Sequence, residues 1–254
     1  VYKRQSASRT VTRPSFIEMA PFLYQESYGS AQIRGNADLQ NGYNYNIDLR
    51  YELFEKNGDM LSITAYYKHL KAPIERVQTL SGGSAVHSFR NADNGMATGV
   101  EIEFRKEIVK DLRFGVNGSY MYTNVKLPEG GAYTNSQRAL QGASPYLANA
   151  DLTYSPAFSN DRQLSVALLY NLQGPRIHSV GISGLGDIKQ QPVHTLNFTG
   201  SYRFNRRFAV KLQVNDLLNQ DILFKQEVPT TGDKVEVERF RKGTGFEVGF
   251  SYDL

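Results

Sequence analysis

The sequence predicts an all-β fold, a transmembrane antiparallel up-and-down β-barrel, and three observations carry that prediction. Segments of roughly 9–11 residues, the length of a tilted strand crossing a bilayer, alternate apolar and polar side chains, so each turns one set to either face. Short turns and long loops join them in strict alternation, as in outer-membrane barrels. The aromatic residues, 16 Tyr and 14 Phe with no Trp, recur near segment ends, as in interfacial girdles.

The terminal stretch shows the pattern most plainly. Phe246, Val248, Phe250, Tyr252 and Leu254 occupy every second position, against Glu247, Gly249, Ser251 and Asp253. At the other end, Val1-Tyr2-Lys3-Arg4-Gln5 reads as the translation of a transposon-end sequencing adapter, GTG TAT AAG AGA CAG. Residues 1–5 are therefore expected to be foreign and residues 6–254 to be the protein's own. On that expectation the lack of a signal peptide says nothing about localisation.

From Ser6 the chain alternates weakly as far as Arg13 and meets Pro14, like a strand running into a loop. Ser15 to Phe22 has a short helical spacing, and Leu23 to Leu39 reads as a long polar loop. Tyr43, Tyr45, Ile47, Leu49, Tyr51 and Leu53 then face one way against Asn44, Asn46, Asp48, Arg50 and Glu52. The Asn57-Gly58 pair signals a hairpin, and Leu61, Ile63, Ala65 and Tyr67 return. A second long loop is expected from about Pro73 to Asn94.

Val100, Ile102 and Phe104 descend to a charged turn over Lys106 to Asp111. Leu112, Phe114, Val116, Tyr120 and Tyr122 climb to a third loop, Val125 to Pro145. Tyr146 to Tyr154 and Leu164 to Tyr170 flank a turn at Ser155 to Arg162, and a fourth loop spans Gln173 to Pro192. Leu196 to Phe204 and Phe208 to Val214 flank Asn205-Arg206. A last excursion, Asp216 to about Arg239, precedes the terminal strand. That makes about ten strands.

Composition bounds the rest. There is no Cys, hence no disulfide framework and no thiolate metal site. The net charge of +4 is small and scattered, which argues against a nucleic-acid surface. No apolar run is long enough for a membrane-spanning helix. The mean hydropathy of −0.45 does not separate a soluble protein from a barrel whose lumen and lipid faces alternate. Against a soluble β-sandwich stand the length of the strands, since sandwich strands typically run ~5–6 residues, and the uniformly hydrophilic second face.

Chemistry is sparse. His69, His87, His178 and His194 show no ligand spacing, and no nucleophile elbow or phosphate loop occurs. Glu101 and Glu103 read as a solvated lumen wall. Arg176 and His178, in a long loop, are placed to meet an anionic ligand or simply to be solvated. Tyr24, Tyr28, Phe89 and Tyr133 give the loops aromatic surface suited equally to sugars and chelates.

Four stretches, in order, resemble the C-terminal barrel half of TonB-dependent outer-membrane receptors. Ser8 to Phe16, ending Arg13-Pro14-Ser15-Phe16, is similar to the family's R-P-x-F strand end, and Gly35-Asn36-Ala37-Asp38-Leu39 to its G-N-x-x-L, with Ala37 in place of the usual Pro. Val214-Asn215-Asp216-Leu217-Leu218-Asn219-Gln220 is similar to its x-N-L-F-N segment before the last extracellular loop. Phe246 to Leu254 resembles the barrel-assembly signal, ending in Leu254 where the family commonly has an aromatic.

The resemblance implies about the last ten strands of a 22-stranded barrel, with the plug, the TonB box and the first strands lying outside this chain. It implies TonB-energised uptake of a scarce nutrient such as a ferric siderophore, haem, cobalamin or an oligosaccharide, with no covalent chemistry and no cofactor. Its implied partners are outer-membrane lipid, the TonB complex acting through the plug, the barrel-assembly machinery and the small-molecule or oligosaccharide ligand. A lipoprotein lid, used by the glycan-importing branch, stays an open option. The alternatives are a complete small outer-membrane barrel enzyme, which needs a catalytic cluster at its loop end, and a soluble β-rich binding module.

Because every backbone group in hydrocarbon must be paired, a partial barrel would expose two strand edges. Residues 6–254 alone are accordingly expected not to insert as a stable barrel. A heat-modifiable, protease-resistant monomer of that segment in detergent is the result that would refute this.

Overall fold

The computed structural model describes residues 1–25, 32–55, 57–81, 84–128, 134–156, 158 and 162–252. Ten strands follow one another in an antiparallel meander: β1 (Tyr2–Thr12), β4 (Gly42–Phe54), β5 (Met60–Lys71), β8 (Asn94–Val109), β9 (Leu112–Lys126), β11 (Tyr146–Tyr154), β12 (Gln163–Gln173), β15 (Val193–Arg203), β16 (Phe208–Asn215) and β19 (Gly245–Tyr252). Each pairs with its neighbours in that order, the up-and-down topology expected. The first strand runs through Tyr2–Gln5, which pair with Glu52 to Leu49.

Register fixes the two faces. Tyr45 stands opposite Arg9 and His69, Ile47 opposite Ala7 and Tyr67, and Leu49 opposite Gln5 and Ala65. The apolar row continues through Val100 and Ile102 to Tyr120, and these side chains are exposed on the sheet surface. On the other face polar side chains bond across strands. Asn44 Nδ2 donates to Thr12 Oγ1 (3.0 Å), Asn46 Nδ2 to Ser8 Oγ (3.2 Å) and Ser6 Oγ to Asp48 (3.0 Å). Asn171 donates to Asn149 and Asn149 to Asn117 (2.5 and 2.7 Å), an amide ladder over β9, β11 and β12.

Charges on the same face are paired. Arg50 Nε lies 2.9 Å from Glu52, which also meets Arg4 (3.2 Å), and Arg105 lies 2.5 Å from Glu103. Glu101 and Glu103 thus stand on the polar wall, with Glu103 engaged by arginine.

The short turns are tight for local reasons. Between β4 and β5 the Glu55 amide donates to the Asp59 carbonyl, with Gly58 at φ 88° and the Asn57 side chain accepting from the Asp59 amide. This is a five-residue loop rather than the two-residue turn that Asn-Gly most often makes. The turn expected over Lys106 to Asp111 is shorter still. Strand β8 continues through a bulge to Val109, Val109 pairs with Leu112, and Asp111 takes φ 66°. Asn205 Oδ1 accepts from the Arg207 and Phe208 amides, closing β15 onto β16.

The long connections are not plain loops. The Pro73–Asn94 stretch is a hairpin, β6 (Ile74–Ser81) and β7 (Ser84–Asn91). The Leu23–Leu39 stretch contributes β2 (Leu23–Tyr24) and β3 (Ile33–Arg34), and the third loop contributes β10 (Gln137–Arg138) against β9. The last two excursions supply β13 (Arg176–Ser179), β14 (Ile188–Gln190), β17 (Ile222–Val228) and β18 (Asp233–Phe240). They assemble into two small sheets, β2-β3-β7-β6 and β13-β14-β17-β18. Helix α1 (Phe16–Met19) carries a capping box between Ser15 and Glu18.

Most buried apolar side chains lie in this loop crown, where Val77, Ala92, Val125 and Leu127 form a cluster joined by Leu140. Among the described residues the sheet wall has no such core beneath its apolar face, because lipid plays that part. Leu49→Lys, in the middle of β4 on that face, is expected to cost ~2–4 kcal/mol of barrel stability. Asn46→Lys on the polar face should cost under ~1 kcal/mol; denaturant titration in lipid vesicles reads both.

Candidate ligand-binding site

The crown is tied across its two sheets by side chains. Gln78 of β6 bonds Ser179 of β13, and His87 of β7 lies 3.4 Å from the same hydroxyl. Arg76 Nε donates to His87 Nδ1 at 2.7 Å. Gln141 Nε2 donates to the His178 carbonyl (2.7 Å), and the Gly142 amide to that of Ile177 (2.9 Å). A buried ion pair, Glu75 of β6 with Arg138 of β10 at 2.9 Å, pins the first hairpin to the third loop. Burial pushes the Glu75 carboxyl above its ordinary range, and the Arg138 guanidinium opposes that.

Between these ties lies a cavity of about 280 Å³, lined by Glu18, Glu75, Arg76, Phe89, Arg176 and His178 with Ile74, Gln141, Gly142 and Ile177. Arg76 is held through its Nε by His87 and Arg176 through its Nε by Gln190 Oε1 (2.7 Å). Both carboxylates are engaged: Glu18 accepts from the Ser15 amide and hydroxyl (2.6 and 2.8 Å), and Glu75 faces Arg138. Two oriented guanidiniums beside an aromatic ring suit an anionic ligand with a planar or apolar part.

Arg176 and His178 thus reach one cavity together with Phe89, while Tyr28 and Tyr133 lie outside the described residues. Tyr24 stands beside Phe22, ring centroids 6.2 Å apart. The other histidines are dispersed: His69 on the outer face opposite Tyr45, His87 buried in the crown, and His194 with Nδ1 2.6 Å from the Tyr170 hydroxyl. Sequence reading missed Arg76 and the Glu75–Arg138 pair, which carry no local signal because their partners lie many residues away.

The motif residues sit elsewhere and do a different job. Arg13 and Pro14 leave β1, and Phe16 opens α1 almost fully exposed. Gly35 packs on the end of that helix so closely that a Cβ would lie 2.5 Å from the Ala20 nitrogen and 2.8 Å from the Glu18 carbonyl oxygen. The Asn36 amide donates to Glu18 O (2.7 Å), its side chain to Phe89 O (3.0 Å), and Leu39 is buried beside them. The first two motifs therefore meet in one clasp.

Asn215 pairs with Gly245 at the end of β16, and the chain then turns with Asp216 and Asn219 at φ 55° and 43°. The Leu217 amide caps the Leu196 carbonyl (2.7 Å). Phe246, Val248, Phe250 and Tyr252 project from the outer face of β19, highly exposed; Leu254 lies outside the described residues.

Removing Arg138 alone (Arg138→Leu) leaves a buried carboxylate and is expected to cost the crown ~3–5 kcal/mol. Replacing both partners (Glu75→Leu with Arg138→Leu) should recover most of that. Because the folded Glu75 binds its proton more tightly than the unfolded group, its contribution to stability is largest at or below the ordinary carboxylate range. It declines as pH rises from there through the raised value. Hydrogen exchange of β6 and β10 across pH, in the parent and in Glu75→Gln, measures it.

The outer membrane protein beta-barrel family model matches residues 3–252. Among solved structures, the chain superposes on a G324V mutant of the ferric enterobactin receptor PfeA of Pseudomonas aeruginosa with a TM-score of 0.66 at 19% identity, covering 98% of this chain and 38% of that one. The siderophore receptor PirA of Acinetobacter baumannii gives 0.64 at 15%, with the same coverage. The copper transporter OprC gives 0.66 at 14%, covering 98% and 36%. No curated protein sequence matches the chain. The chain thus spans well under half the length of the receptors it resembles, and at these identities the likeness speaks for the fold: an antiparallel wall, apolar outside and polar inside. With a family model running almost from end to end, this chain belongs to the outer membrane protein beta-barrel family, and its place is the outer membrane of a Gram-negative cell.

Proposed function

We propose that residues 6–254 are the C-terminal barrel portion, about ten strands of 22, of a TonB-dependent receptor that imports a scarce anionic chelate such as a ferric siderophore. The single observation that carries this reading is the cavity between the two crown sheets, with Arg76 and Arg176 oriented beside Phe89. It lies on the long-loop side, which in bacterial barrels faces outward. The polar wall below, with its amide ladder and paired charges, suits a hydrated path. The 98% coverage of this chain against 38% of a receptor's own length supports a partial barrel, with plug and TonB contacts supplied by sequence beyond it. The terminal row Phe246 to Leu254 is then the assembly signal. The barrel's part in this scheme is recognition and passage, not catalysis.

In a strain whose only receptor for the ligand carries this chain, uptake of labelled ferric chelates is expected to need an intact TonB system. Arg76→Ala with Arg176→Ala should weaken binding of an anionic chelate by roughly tenfold or more, while a neutral chelate or an oligosaccharide is unaffected. Import that persists without TonB would overturn the transport reading. Selective loss of oligosaccharide uptake would instead move the ligand to the glycan class.

A further inference from the structure

We propose that the outer face of this wall carries a binding site for a phosphorylated glycolipid headgroup of the outer leaflet, formed by Arg9, His69, Lys71 and Lys126 at the long-loop rim of β1, β5 and β9. The proposal rests on the barrel fold and is independent of what the crown binds.

Register places the four groups. Arg9 stands opposite Tyr45, and Tyr45 opposite His69; one level nearer the loops Tyr43 faces Lys71, Lys71 faces Asn94, and Asn94 faces Lys126. All lie on the outward row of their strands, directly above the apolar belt of Ile47, Tyr67 and Tyr122, and all four are exposed. Neighbouring strands are ~4.8 Å apart, so the four side chains span a patch no wider than one lipid headgroup or two. The Arg9 guanidinium lies over the Tyr43 ring at 4.4 Å and the Tyr45 ring at 5.7 Å. That keeps the guanidinium at the wall, beside two rings of the outward row.

Two further observations choose the occupant. First, among the described residues no Asp or Glu occupies an outward position in the rim half of β1, β4, β5, β8 or β9, where Ala7, Val11, Met96, Thr98 and Asn124 complete the rows. Among the described residues no carboxylate of these rows is paired with the cluster, unlike the inner wall, where Glu52 and Glu103 are matched by arginines. Second, the patch is bounded on the β11 side. The corresponding rim of β11 to β19 carries Tyr146, Leu172, His194 and Phe246, with no Lys or Arg, and His194 is occupied by Tyr170. A generic interfacial girdle of cations would continue across β11 to β19. A local cluster of cations at headgroup depth, contiguous with the lipid belt, matches phosphate anchored on a lipid, each Lys or Arg adding to the attraction.

The test uses the intact outer-membrane protein in mild detergent, with native mass spectrometry reading bound lipid. Bis-phosphorylated lipid A should stay bound to the parent, and lipid A stripped of both phosphates should not. Lys71→Gln with Lys126→Gln should weaken retention of bis-phosphorylated lipid A roughly tenfold or more, whereas Lys211→Gln on the inner wall leaves it unchanged. Heat modifiability on gels confirms that each variant is folded. Equal retention of both lipids by the parent overturns the proposal without recourse to any variant, and so does full retention by the folded double variant. Displacement by inorganic phosphate as readily as by lipid A would assign the cluster to free anions and also overturn it.

Discussion

Everything in this molecule follows from one constraint: inside a bilayer no water is available to hydrogen-bond the backbone, so each strand must be paired along its whole membrane length. The ladders obey it. The β1–β4 and β4–β5 pairings run unbroken from end to end. The register shifts fall outside the hydrocarbon, at the short-turn end of β8 and in the crown at β13 and β17. Continuity then dictates the side chains. With a period of two, slipping β4 by one residue would put Asp48, Arg50 and Glu52 into lipid, so the alternation along Tyr43 to Leu53 specifies register as well as face.

The same constraint relocates the hydrophobic core. A water-soluble sheet hides its apolar face under another layer, whereas here that face meets lipid and the inward face is polar. Packing of the usual globular kind is left to the crown, where Val77, Val125, Leu127 and Leu140 lie together and the Glu75–Arg138 pair is shut away from water. A buried ion pair gives little net stability against apolar replacements, but its geometry holds β6 and β10 in one arrangement. The cavity walls are thereby set in advance, which for the ligand proposed above would lower the ordering cost of binding.

What could be read from the sequence divides along the same line. The ten wall strands were legible because each is half lipid-facing and half lumen-facing, so Tyr43 to Leu53 or Leu112 to Tyr122 alternate cleanly. The crown strands were not. In Ile74–Ser81 both faces are engaged, with Glu75 and Val77 buried on one side while Arg76 and Gln78 tie to His87 on the other. Polar residues therefore stand where a half-buried strand would carry apolar ones. In β17 a register shift at Phe224/Lys225 breaks the period, and the segment reads as an excursion. Arg176 and His178 were visible as loop cations, but their convergence with Arg76 and Phe89 depends on contacts between segments far apart in the chain.

The motifs show why a family can be legible while its ligand is not. Gly35 and Asn36 touch the end of α1 and the Phe89 carbonyl, and Leu217 and Asn219 fold the chain over the end of β15. These are contacts with backbone, and they fasten long connections to the rim whatever the connections carry. A clasp of that kind is indifferent to the chemistry of the cavity beside it, so it constrains sequence without encoding specificity. In the function proposed above, specificity falls instead to side chains such as Arg76, Phe89 and Arg176, which can change without disturbing any ladder hydrogen bond. On that proposal, the wall and its clasps form a scaffold on which different ligands would be read by exchanging crown residues alone.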